Sequence, residues 1–77
     1  MKEVIVYGSG CPACHKLKAL VDDVVKQNKI AANIEYSSDF VEMGKLGILS
    51  VPAIVVDGKV KSSGAFPGRD VILKLLE

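Results

Sequence analysis

Seventy-seven residues, 49% of them apolar, 25% charged and 5% aromatic, fit a single domain over 1–77 with a small core and exclude a disordered chain. Ten Lys and Arg against nine Asp and Glu leave a net charge of +1. No basic cluster is present to neutralise phosphates, so nucleic acid is excluded as a partner. The longest weakly polar stretch, 47–56, is broken by Pro52 and falls short of the roughly 20 residues a spanning helix needs. Met1-Lys2-Glu3 leads directly into strand-like residues without the apolar segment of a signal peptide. The expected setting is the cytoplasm, with no membrane partner.

Val4, Ile5, Val6 and Tyr7 predict a buried strand, closed by the turn Gly8-Ser9-Gly10. Pro12 suits a first helical turn, which places Cys11 at the cap. Leu17, Leu20, Val21, Val24 and Val25 then recur at three- and four-residue spacing, with charged residues between them. That pattern predicts an amphipathic helix of about four turns, ended by Asn28. A second strand is expected over 32–36. Asp39 followed three residues later by Glu42 resembles a capping box and predicts a short helix over 40–46, ended by Gly47. The apolar run 53–56, the pair Asp57-Gly58 and residues 59–62 predict a hairpin, since both turn residues need positive φ. Pro67 is expected to open a last helix with Val71, Ile72, Leu75 and Leu76 on its apolar side, anchored in the core by Phe66. The order is β-α-β-α-β-β-α. Right-handed crossover makes the first two strands parallel and the last two antiparallel, an α/β sandwich with a four-stranded mixed sheet.

The two cysteines stand in Gly10-Cys11-Pro12-Ala13-Cys14. A bridge across so short a loop removes only about 2 kcal/mol of unfolded-state entropy, a weak motive for a structural staple. Bridges in a reducing cytoplasm are mostly transient and catalytic. Helical phase puts Cys14 on the apolar stripe with Leu17 and Val21, partly shielded, and Cys11 at the open cap. There the unpaired N–H groups and the positive end of the helix dipole favour a thiolate, so the Cys11 pKa is expected below the free-thiol value of about 8.5. Cys11 would attack a disulfide and Cys14 would resolve the mixed disulfide. Pro12 stiffens the turn between them. His15, in phase with Lys18, Ala19 and Asp22, reads as an exposed surface histidine.

With a later Val51-Pro52-Ala53 before an apolar strand, these residues resemble the thioredoxin superfamily. More closely, the chain is similar to small redox-active disulfide proteins, which are glutaredoxin-sized thioredoxin-like domains. The resemblance is most specific in residues 7–14 and in 47–53 continuing through Asp57-Gly58-Lys59-Val60. It implies a three-layer thioredoxin-like sandwich, a monomer without cofactor or metal, and disulfide-containing protein substrates served by a thiol or reductase electron donor. It further implies a cis Val51-Pro52 bond beside the cysteines. Val51 would offer its backbone to an extended substrate, with Pro52, Gly10 and Pro12 completing the substrate-binding surface. Gly10 replaces the tryptophan of thioredoxins, and the strand residues 4–7 include no buried carboxylate of the kind thioredoxins place beneath the second cysteine. Ser63-Gly64-Ala65-Phe66 replaces the glycine pair and Asp that glutaredoxins use for glutathione, leaving glutathione open as a partner.

Two rival readings come from the same residues. Gly8-Ser9-Gly10-Cys11-Pro12-Ala13 matches the dinucleotide fingerprint G-x-G-x-x-A, with Glu35 as a ribose-binding acid. However, the chain is too short for a doubly wound domain, and the hairpin after Pro52 does not fit one. A Cys-x-x-Cys loop could instead carry a soft ion such as Cu(I). Carriers of this size run β-α-β-β-α-β, unlike the order read here. An adaptor with vestigial cysteines has no support, since both cysteines and the proline are in place.

Overall fold

A computed structural model describes residues 2–76. The elements are β1 (Lys2–Tyr7), α1 (Pro12–Gln27), β2 (Ala32–Ser37), α2 (Phe40–Leu46), β3 (Ala53–Val56), β4 (Lys59–Ser63) and α3 (Arg69–Leu75). The strands form one mixed sheet in the order β2-β1-β3-β4. β1 and β2 are parallel, which requires a crossover, and α1 supplies it. β3 runs antiparallel to both β1 and β4.

Alternation along β1 sends Val4 and Val6 to one face and Ile5 and Tyr7 to the other. On the first face, Val4, Val6, Ile54 and Val56 pack against Leu17, Val21 and Val24 of α1, Ile72 of α3 and the following Leu76. On the second, Tyr7, Ala53 and Val55 meet Met43 of α2 and Ile48. Helices therefore cover both sides of the two central strands, in the three-layer thioredoxin-like arrangement. This is why β3 is apolar at every position: each buried aliphatic side chain contributes about 1.5–3 kcal/mol, whichever face it takes. No helix among the described residues is long and apolar enough to cross a membrane.

The turns follow from local chemistry. Asp57 and Gly58 have φ of 51° and 81°, as a two-residue hairpin turn requires. Asp57 is held further by Glu3, whose N–H donates to its Oδ1 at 3.0 Å and whose carbonyl accepts its N–H at 2.8 Å. Asn28 ends α1 by donating its side-chain Nδ2 to the Val24 carbonyl at 2.9 Å. Asp39 caps α2, its Oδ1 accepting the N–H groups of Val41 at 2.9 Å and Glu42 at 3.2 Å. Since α2 is seven residues long and buries Met43, Asp39→Ala should cost about 1 kcal/mol. The loss would be read as a lower urea midpoint at unchanged slope.

The capping box itself forms only in part. The Asp39 N–H donates to Ser37 Oγ at 3.2 Å, while the Glu42 carboxylate accepts the Tyr7 hydroxyl at 3.0 Å. Tyr7 is 1% exposed, and a buried phenol claims a partner before a solvent-exposed backbone N–H does. The last helix also departs from expectation. α3 begins at Arg69 with Gly68 at its cap, so Pro67 lies outside it. A start at Pro67 would leave Phe66 as the cap, a residue with no side-chain acceptor, whereas glycine is tolerated there. Phe66 is 50% exposed and is no core anchor; Val71 is also exposed. The buried stripe of α3 is centred on Ile72 and Leu76, with Leu73 and Leu75 partly buried on either side. Val71 sits about 100° of helix rotation away from Ile72.

Candidate active site

β1 delivers the chain into Gly8-Ser9-Gly10, and Cys11 follows in an extended conformation (φ −73°, ψ 159°) as the N-cap of α1. Its Sγ accepts the N–H of Cys14 at 3.2 Å, taking the role a serine or aspartate oxygen plays at other helix starts. Pro12 occupies the first turn, where its missing N–H leaves nothing unpaired. Cys11 and Cys14 form a disulfide, their Cα atoms 5.2 Å apart. The two sulfurs differ in surroundings. Cys11 is half-buried and flanked by the exposed Gly10, Pro12 and Ala13. Cys14 is fully buried, more completely than its place on the apolar stripe suggests. When the bond is reduced, the same cap N–H and the positive end of the helix dipole still face Cys11 Sγ.

The turn is held by contacts that periodicity does not report. Gly8 is buried, and its N–H donates to the Ser37 carbonyl at 3.0 Å. An added Cβ would lie 2.6 Å from Cys14 Cβ, 2.7 Å from Cys14 Sγ and 2.7 Å from the Tyr36 hydroxyl. Only glycine fits there. Gly10 has φ +85° with open space around it, and its N–H donates to the Tyr36 hydroxyl at 2.8 Å. His15 is exposed as expected but not free. Its ring stacks on that of Tyr36 with centroids 5.0 Å apart.

β3 approaches the same end of the sheet. Ala53 pairs with Tyr7, so Pro52 and Gly8 are the next residues along the two strands. The Val51-Pro52 bond is cis. Pro52 is buried and Val51 half-buried against Tyr7, Met43 and their neighbours. The structure thus gathers Cys11, Cys14, Gly10 and Pro12 in one turn and sets Val51 and Pro52 at the adjoining strand end. Gly8 and Tyr36 belong to the site and were not singled out from sequence. Tyr36, the last residue expected in the second strand, was legible only through its register opposite Val6.

Around the pair the electrostatics are sparse. Among the described residues no charged side chain is buried, and no group of three His, Cys, Asp or Glu side chains converges to hold a metal ion. Tyr7, behind the site, has its pKa raised by burial first and by its hydrogen bond to Glu42 second, so it stays a donor. A cleft of about 290 Å³ between α2 and the sheet, lined by Ile5, Tyr7, Leu46 and Val55, contains neither cysteine.

A half-exposed thiol at a helix cap, bridged to a buried one a turn later, is suited to reversible disulfide exchange. Known proteins agree with that chemistry. A family model described as a thioredoxin domain matches residues 2–77. The chain is 29% identical over 76 residues to a thioredoxin of Methanothermobacter thermautotrophicus, covering 99% of both chains. It is 30% identical over 70 residues to a thioredoxin of Methanocaldococcus jannaschii, covering 87% of this chain and 81% of that one. The chain belongs to the thioredoxin domain family, and with its Cys11–Cys14 pair it is a thioredoxin-like thiol–disulfide oxidoreductase.

Proposed function

We propose that Cys11 is the nucleophile and Cys14 the resolving thiol of a dithiol cycle that reduces disulfide-bonded proteins. The observation that carries this assignment is the difference in exposure. Cys11 sits half-buried at the helix cap, whereas Cys14 has no exposed surface. Only the first can meet a sulfur on another molecule. Its thiolate attacks the substrate disulfide, one substrate thiolate leaves, and Cys14 then displaces the other from Cys11.

Val51 with Pro52 forms the docking edge, and Gly10 with Pro12 its opposite rim. The carbonyls on either side of Val51 are engaged within the chain, Ser50 by Ser63 Oγ at 3.1 Å and Pro52 by Gly64 N–H at 2.9 Å. No hydrogen bond among the described residues takes Val51's own N–H or C=O. These groups can pair with an extended substrate as an added strand would. The working unit is one monomeric domain over 1–77 in the cytoplasm, recharged by a thiol or reductase.

Mixed-disulfide capture tests the roles. Cys14→Ser incubated with an oxidised protein should accumulate a covalent adduct that dithiothreitol releases, and Cys11→Ser should form none. Equal capture by the two variants would refute the assignment.

A further inference from the structure

Cys14 is fully buried, yet it must become a thiolate to attack. A thiolate withdrawn from water is disfavoured unless hydrogen bonds replace the lost solvation. The Tyr36 hydroxyl shares with it the space beside Gly8. The position an added Gly8 Cβ would take is 2.7 Å from Cys14 Sγ and 2.7 Å from the Tyr36 hydroxyl oxygen. Sulfur and oxygen are therefore separated by no more than twice that distance, across a residue that places no side chain between them.

The hydroxyl is anchored independently of any substrate. It accepts the Gly10 N–H at 2.8 Å. Its ring is stacked by His15 of α1, and its backbone is registered opposite Val6 in the sheet. A phenol has one proton to donate and two acceptor positions. With the Gly10 N–H as its incoming bond, its own proton is left to give.

We propose that Tyr36 donates this proton as a hydrogen bond to Cys14 Sγ once the disulfide opens, stabilising the resolving thiolate. The proposal rests on Cys14 being the resolving thiol. After Cys11 has formed the mixed disulfide, Cys14 gives its proton to water and its sulfur attacks Cys11 Sγ. The bond between Cys11 Sγ and the substrate sulfur breaks, and the substrate leaves as a thiolate with the electron pair. Two electrons pass from the cysteine pair to the substrate disulfide, and Tyr36 stays protonated throughout.

Tyr36→Phe keeps the ring and its stack and removes only the donor. The exposed Gly10 N–H then turns to water. With a symmetric aromatic disulfide as the probe, stopped-flow absorbance separates release of the first aromatic thiol, which reports attack by Cys11, from release of the second, which reports attack by Cys14. The second release should slow between about tenfold and a hundredfold, as expected for losing a hydrogen bond to a charged group, while the first keeps its rate. Tyr36→Met, which has no donor, should show the same split if the phenylalanine variant proves unstable. Equal slowing of both steps would mean that Tyr36 only shapes the Gly10 turn, and no slowing would mean that it has no part; either overturns the proposal alone. Capture by Cys11→Ser in place of Cys14→Ser would reverse the cysteine roles and overturn the underlying assignment as well.

Discussion

Cys11→Ser should reduce disulfide turnover to the uncatalysed background while leaving the fold as stable as that of the reduced parent. The two halves of this expectation come from the two roles of one side chain. As a nucleophile, Cys11 depends on an ionised sulfur, and a serine hydroxyl at neutral pH supplies no comparable anion. As a helix cap, it needs only an atom that accepts the Cys14 N–H, now made by Sγ at 3.2 Å. Serine is among the preferred residues for that purpose, whereas Cys11→Ala should lose about 1 kcal/mol of helix stability in addition to the activity. The oxidised parent gains at most about 2 kcal/mol from closing so short a loop. In urea titrations Cys11→Ser should therefore match the reduced parent and fall slightly below the oxidised one. Activity measured as insulin-type disulfide reduction with dithiothreitol as donor would decide the chemical half. Residual turnover by the serine variant at a substantial fraction of the parental rate would move the nucleophile to Cys14.

The parts of this molecule that the sequence made legible are those governed by neighbours along the chain. The α1 stripe at Leu17, Val21 and Val24, the Asp39 cap, the Gly47 stop and the Asp57-Gly58 turn all lie where spacing places them. Each depends on a local period or a φ requirement, and these survive without knowledge of the fold. The cysteine turn is legible for the same reason, its two sulfurs being set by one helix start. What escaped depends on side chains meeting across elements. Glu42 abandons the reciprocal half of its capping box because Tyr7, from a strand, buries a hydroxyl beside it. Phe66 stays half-exposed because Ile72 and Leu76 fill the core that it would have entered. Tyr36 joins the site because the parallel register carries the end of β2 up to the Gly8–Gly10 loop. The strand pattern over 32–36 includes Tyr36 but says nothing of where its hydroxyl ends up.

That register also explains why position 8 admits no side chain, and Gly8→Ala should be among the most damaging single-methyl additions in the protein. The new Cβ would stand 2.6 Å from Cys14 Cβ and 2.7 Å from both Cys14 Sγ and the Tyr36 hydroxyl. None of these can step aside cheaply. Gly8 is tied to Ser37 through its N–H, Cys14 Cβ is fixed by the helix backbone, and Tyr36 is held by Gly10 and His15. Relief requires the first turn of α1 to move away from the sheet, at a cost of about 1–3 kcal/mol, as overpacked cores show. For a domain of this size each kcal/mol lowers Tm by about 4–8 °C. Gly10→Ala provides the contrast, since it meets open space and is penalised only for its positive φ, by about 1 kcal/mol. Crowding at position 8 is refuted if Gly8→Ala melts at or above the temperature of Gly10→Ala. If it melts lower, the shifted α1 turn should also carry Cys14 away from the Tyr36 hydroxyl, so that the second thiol release slows more than the first. In that case one methyl group would tie stability to exchange chemistry at the point where β1, β2 and α1 meet.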